Sequence, residues 1–255
     1  MRINVFLLLA SQLAKLAVSS PLENDDNILL EDFENPRRHW EEMNDPVMGG
    51  KSKGTFTIEY NVGVFEGNVV NVPFLHVPGF IHVRTIDSQP FPDISHCGAF
   101  RIKLQSLTDY EGLRFSFGDA HAPHGKRFAF GYKTNLSVPT NEWTEVVIPM
   151  SDFTDYWDDA TGDAIVTCQE DSKYCPTEEA LRNLKKMAIW GEGVAGQVHV
   201  EIQSIYATQC ASENNRYVEQ EDGSSLAQMW ILSVFRGWTN QVSLPAHLLD
   251  YFFRN

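Results

Sequence analysis

The sequence predicts an all-β fold, a β-sandwich or jelly roll, with one short helix and a C-terminal helical tail. Short runs that alternate apolar and polar residues recur along most of the chain, the signature of half-buried strands. Clusters of Gly, Pro, Asn and Asp separate those runs, which is turn chemistry. Only one internal segment carries a capped helical pattern. At 255 residues the chain suits one large all-β domain better than two small ones. A chain of this size buries about 70–75% of its unfolded surface and needs no staples to be stable.

The elements follow in order. Thr55 to Tyr60 and Val64 to Val70 flank a turn at Asn61-Val62-Gly63 and read as a hairpin. Phe80 to Thr85 follows. Phe100, Ile102 and Leu104 alternate with Arg101 and Lys103. Leu113, Phe115 and Phe117 alternate with Arg114 and Ser116. Phe128, Phe130 and Tyr132 alternate, as do Thr144, Val146 and Ile148. Met187 to Trp190 and Val198 to Ala207 complete the strands, a set of short segments that suits a sandwich. The helix is expected over Thr177 to Lys186. Thr177 caps it, Glu178 and Glu179 sit at its positive end, and Ala180, Leu181 and Leu184 share a face. Residues 210–255 read as an acidic linker followed by an amphipathic tail. Its apolar stretch, Leu226 to Phe235, reads as helical, is too short to span a membrane, and docks on the domain or contacts a membrane surface or a partner.

The densest signal is Asn44-Asp45-Pro46-Val47-Met48-Gly49-Gly50-Lys51-Ser52-Lys53-Gly54. Asn-Asp-Pro favours a turn. A double glycine permits φ > 0 or the close approach of another backbone. On residues alone this is a tight loop feeding a strand. The order of Trp40, Asn44-Asp45, Val47-Met48-Gly49-Gly50, Ser52 and Gly54 resembles the signature of the complex I intermediate-associated protein 30 family. Gly79 to Arg84, Tyr110 to Phe115, Trp143 to Phe153 and Val200 to Ala207 resemble its later segments in the same order. The resemblance covers about residues 30 to 208. It implies a galactose-binding-domain-like sandwich over residues 28–209. It also implies a non-enzymatic role in assembling membrane protein complexes, with mitochondrial complex I the best known case. Trp40, Asn44, Asp45, Met48, Gly49, Gly50 and Ser52 are then the candidate binding residues, or a purely structural set.

Composition narrows the partners. The formal net charge is −14. Such an acidic chain is a poor match for nucleic acid, which is bound by neutralising phosphate, and for anionic lipid. The N-terminus, residues 1–19, reads as a targeting segment. Arg2, an apolar core from Val5 to Ala10 and the small-x-small end Ala17-Val18-Ser19 describe a secretory signal peptide. Lys15 interrupts the apolar stretch that continues through Leu13-Ala14 and Leu16-Ala17, and the lack of acids before Glu23 leaves a mitochondrial presequence as the alternative.

There are four cysteines, Cys97, Cys168, Cys175 and Cys210, and four allow three pairings. Cys168 and Cys175 bracket a short polar loop that a local bridge could close. Cys97 opens one expected strand and Cys210 follows the last, so a sandwich could bring them together. In a reducing compartment all four would be thiols. Asn135-Leu136-Ser137 is a glycosylation acceptor if the chain is exported.

Motifs for chemistry are sparse. Gly191-Glu192-Gly193-Val194-Ala195-Gly196 spells a dinucleotide pattern but precedes a strand, so no helix N-terminus is there to hold a pyrophosphate. A hairpin turn explains those glycines better. His121 and His124 lack an evident third ligand, and no Cys pair has zinc spacing. Asp152, Asp155, Asp158, Asp159 and Asp163 form an acidic loop without EF-hand spacing. No cofactor, metal or catalytic residue is therefore expected. The alternative function is a secreted carbohydrate-binding module, an idea that rests on fold analogy. Tyr156, Trp157 and Trp143 are its candidate stacking residues, although Trp143 is expected in the core.

Overall fold

The computed structural model describes residues 27–45, 50–119 and 131–211. The strands are β1 (Ile28–Asp32), β2 (Trp40–Asn44), β3 (Lys53–Glu59), β4 (Val62–Val69), β5 (Phe80–Thr85), β6 (Cys97–Ser106), β7 (Leu113–Phe117), β8 (Tyr132–Asn135), β9 (Thr144–Pro149), β10 (Met187–Glu192) and β11 (Gly196–Cys210), with helix α1 (Glu178–Arg182) before β10. They form two antiparallel sheets. The six-stranded sheet runs β3-β4-β11-β6-β9, with β1 also on β11. The five-stranded sheet runs β2-β5-β10-β7-β8. The chain is an all-β sandwich.

The core lies between the sheets and is built by the alternation itself. From the larger sheet Phe65, Phe100, Ile102, Leu104, Val200 and Ile202 point inward. From the smaller come Ile81, Val83, Leu113, Phe115, Phe117 and Ile189. Phe100, Phe115, Phe117 and Phe153 meet at ring-centroid separations of 5.0 to 6.0 Å, the range preferred by tilted and edge-on aromatic pairs. The longest strand, β11, is the spine. It pairs with β6 on one side and with β4 and then β1 on the other.

Several expectations change in detail. The first hairpin turns one residue pair earlier than expected, with Glu59 opposite Val62. Tyr60 and Asn61 both have positive φ, 51° and 68°, the pattern of a two-residue type I′ turn that matches the twist of the flanking strands. The helix is shorter than its pattern. Thr177 does cap it, accepting a hydrogen bond from Ala180 N at 3.2 Å. It stops at Arg182, where the Asn183 amide bonds back to Glu179 O at 3.3 Å and Glu179 Oε1 at 2.9 Å and so competes with further helix. Leu181 and Leu184 are buried nonetheless. The glycine pattern at 191–196 is not a hairpin, because β10 and β11 belong to different sheets. The turn carries the chain across the sandwich. β1 and β2 were not foreseen as strands. The expected strand at Phe128 to Tyr132 appears as β8, four residues further on, and residues 128–130 lie outside the described residues, as does the C-terminal tail.

Candidate functional site

The signature residues form a clasp that ties β2 to β3, β4 and β5. Trp40 opens β2 and packs against Phe33 and Phe56 at 5.7 and 6.0 Å between centroids. Its indole Nε1 donates to Glu31 Oε2 at 2.8 Å. Glu31 is fully buried, and its other oxygen accepts from Asp32 N at 2.9 Å and Arg37 N at 2.8 Å. Three donors satisfy a carboxylate that water cannot reach. At the other end of β2, Asn44 Oδ1 accepts from Gly54 N at 2.5 Å. Ser52 Oγ lies against Val70, donating to its carbonyl at 3.3 Å and accepting from its amide at 3.1 Å.

Asp45 explains the glycines. Its buried carboxylate fills the space where a Cβ on Gly50 or on Gly79 would sit, and the Gly79 Cβ would also lie 2.7 Å from Ser52 Oγ. Gly50 is needed for close approach, not for a positive φ. Met48 and Gly49 lie outside the described residues. Beside the clasp the chain makes a tight loop. Val72 N bonds Val77 O at 2.9 Å, His76 N bonds Val72 O at 3.0 Å, and Gly79 N bonds Val70 O at 2.9 Å. That closed loop holds Phe74, Leu75 and Val77 out in solvent, with Phe74 59% exposed.

The second constellation lies on the outer face of the five-stranded sheet. Lys133 on β8 donates to Glu192 Oε1 at 2.6 Å, and both are buried. The ammonium also faces the rings of Trp157 and Trp190, at 3.5 and 3.9 Å from their centroids. Burial pushes the Lys133 pKa down, and Glu192 opposes that shift. Next to it, Arg114 Nη2 pairs with Asp163 at 2.8 Å. Gly162 and Gly193 both have positive φ, and a side chain on Gly162 would collide with the Glu192 carboxylate. Tyr110 Oη donates to Val194 O at 2.7 Å, fixing the turn between β10 and β11. The 191–196 motif is thus filled by its own neighbours.

The acidic loop divides its members. Asp163 pairs with Arg114, Asp155 is buried, and Asp152 accepts from Gln169 Nε2 at 3.1 Å. The sugar-stacking candidates fare unequally. Trp157 is buried, with Nε1 donating to Gly131 O at 2.9 Å, so its ring is not a platform. Tyr156 is half-buried against Tyr174. Trp143, expected in the core, is exposed at the start of β9. Strand β9 is an edge, where the side chain preceding it meets no facing layer.

Cys97 is disulfide-bonded to Cys210 across the paired ends of β6 and β11, and Cys168 to Cys175. His96, Cys97 and Cys210 hold their ligand atoms within 4.8 Å of one another. Both sulfurs are spent in the disulfide, which leaves a single imidazole. Asn135 is exposed at the end of β8. His121 and His124 lie outside the described residues.

Among solved structures, the family 11 carbohydrate-binding module of a cellulosomal cellulase from Clostridium thermocellum superposes with a TM-score of 0.48 at 14% identity, over 73% of this chain and 97% of that one. The Clostridium thermocellum family 11 module in complex with a β-1,3-1,4-mixed-linked tetrasaccharide gives 0.47 at 12%, over 73% and 98%. An exo-β-agarase gives 0.41 at 11%, over 72% of this chain and 25% of that one. No curated protein matches in sequence. A model of the complex I intermediate-associated protein 30 family matches residues 31–164, more than half of the chain and the whole of the clasp. The chain belongs to the complex I intermediate-associated protein 30 family.

Proposed function

We propose that this chain is a non-catalytic binding protein that holds a partly assembled protein client, as the family's name implies for respiratory complex I. The observation that carries the reading is the pairing of a signature engaged in internal contacts with an exposed apolar loop. The signature side chains are consumed in holding β2, β3, β4 and β5 together. Beside them stands the hydrogen-bonded loop with Phe74, Leu75 and Val77 in solvent. A small exposed apolar surface on a closed loop is a protein-contact feature. The carbohydrate reading loses Trp157 as a platform and keeps Trp143, which is exposed just before β9.

The cysteines support an exported compartment. Two disulfides suit an oxidising compartment and a chain exported through residues 1–19, with Asn135 available for glycosylation. On this reading the client is a membrane complex assembled on an oxidising side; in the alternative, residues 1–19 are a mitochondrial presequence and the client is mitochondrial.

The test is crosslinking of the tagged protein in its own cells, with fractionation. Capture of a membrane-complex subunit, lost in Phe74→Ser with Leu75→Ser while thermal stability is unchanged, is the expected result. An unaltered crosslinking pattern in that variant overturns the contact surface. Normal respiratory and other membrane complexes on native gels after gene deletion overturn the assembly role. Four alkylatable thiols in a matrix-located protein overturn the compartment.

A further inference from the structure

The outer face of the five-stranded sheet holds a second feature, which shares only Trp190 with the caged lysine. Ala188 on β10 lies opposite Arg84 on β5 and opposite Ser116 on β7. Its methyl leaves a pit between two longer neighbours. One register step along, Trp190 lies opposite His82. Lys186, just before β10, stands exposed at the mouth. The cleft lined by His82, Arg84, Ser116, Lys186, Ala188 and Trp190 contains no carboxylate.

Its donors have little else to do. Ser116 Oγ accepts from Trp190 Nε1 at 2.7 Å, which leaves the hydroxyl proton to give. His82 is 2% exposed, yet neither ring nitrogen has a hydrogen-bond partner among the described residues. A buried imidazole without partners is costly unless something fills the site. The nearest carboxylate by register is Glu41, opposite Arg84 on the edge strand β2. Glu41 is exposed and makes no ion pair with Arg84 among the described residues. In a chain of net charge −14 this cleft is locally cationic.

We propose that this cleft is a binding site for a tetrahedral oxyanion, the phosphoryl or sulfuryl group of a ligand. The cleft measures about 20 Å³, room for one oxygen-sized group. One anion oxygen enters the pit, where it accepts from Ser116 Oγ and a His82 ring N–H. The remaining oxygens sit at the mouth between the Arg84 fork and the Lys186 ammonium. Charge-assisted bonds of this kind are the strong ones. A carboxylate has acceptor sites for four donors but holds them in one plane, whereas a tetrahedral anion presents separate oxygens to the pit and to both sides of the mouth. Burial first, then the charges of Arg84 and Lys133, lower the His82 pKa from 6.5 to about 3, so the imidazole is neutral at pH 7. A bound anion offsets those two cations and raises that pKa.

The experiment is a titration of the purified full chain with inorganic phosphate, sulfate and acetate. It is followed by NMR of the histidine ring nitrogens and the Trp190 indole N–H. Saturable shifts at His82 and Trp190 with phosphate or sulfate are expected, with affinity lowered about tenfold or more in Arg84→Met and in Lys186→Met. Lys186 is exposed, so its variant tests the site even if Arg84→Met does not fold. Linear, non-saturating shifts overturn the proposal, as does binding unchanged in Lys186→Met. Acetate bound as tightly as phosphate overturns the tetrahedral assignment. None of these outcomes depends on the identity of a protein client.

Discussion

Lys133 and Glu192 stand 59 residues apart in sequence and meet at 2.6 Å beneath two tryptophan rings. Each is almost without solvent, at 1% and 6% side-chain exposure. Burying two charges is favourable only when each satisfies the other, and removing one strands its partner. Lys133→Met should therefore cost about 3–5 kcal/mol, as should Glu192→Leu. The double variant should cost clearly less than the sum. Denaturant unfolding of the four proteins closes the cycle, and strict additivity would show that the pair is not coupled.

Gly50→Ala and Gly79→Ala both drive a methyl into the Asp45 carboxylate. Each should lower stability by about 1–3 kcal/mol, the usual cost of overpacking. Asp45→Gly in the Gly50→Ala background should recover part of that loss by removing the obstacle. Thermal melts of the three variants decide whether the space, or the backbone, is what requires glycine.

His82 gives the fold an acid-sensitive element. Its folded pKa is about 3, below the ordinary 6.5, chiefly because it is buried. The unfolded chain takes up a proton at this position below pH 6.5, and the folded chain does not. The associated stability is complete above pH 6.5 and falls as the pH drops towards 3, by about 1.4 kcal/mol per unit. His82→Phe should lack this component. The difference in unfolding free energy between the two proteins, measured from pH 7 to pH 4, should shrink or reverse as acid is added. A constant difference would contradict the neutral buried imidazole.

The two disulfides should contribute unequally. Cys97 and Cys210 are 113 residues apart, Cys168 and Cys175 only 7. In the chain-entropy account the long loop contributes about 4.7 kcal/mol and the short one about 2.5 kcal/mol. Cys97→Ser with Cys210→Ser should lower the unfolding midpoint more than Cys168→Ser with Cys175→Ser. Parallel unfolding curves without reductant make the comparison, and equal losses would point to native-state effects instead.

Much of the fold is legible locally. Strand alternation marks β3 to β7, β9 and β11 because a half-buried strand must repeat every two residues. Thr177 announces its helix because an exposed amide at a helix start needs an oxygen. β2 escapes because Trp40-Glu41-Glu42-Met43-Asn44 lies on a sheet edge, where its burial is mixed. Trp143 misleads for a related reason, as aromatic residues are core-forming only where a second layer faces them. The signature was legible as a turn with a close approach. That Asp45 is what approaches Gly50 and Gly79 was not.

The sequence by itself determined the all-β class, the acidity that disfavours nucleic acid, the helix cap and the resemblance to an assembly-factor family. These are properties of composition, period and residue order. Only the tertiary structure decided that β10 and β11 part into separate sheets, that Lys133 is caged with Glu192, and that His82, Arg84, Ser116 and Lys186 line one cleft. Period-two patterning fixes which face a side chain takes, but not which strand becomes its neighbour. Pairing between distant strands is set by how two sheets close over a shared core, and that is a property of the whole chain.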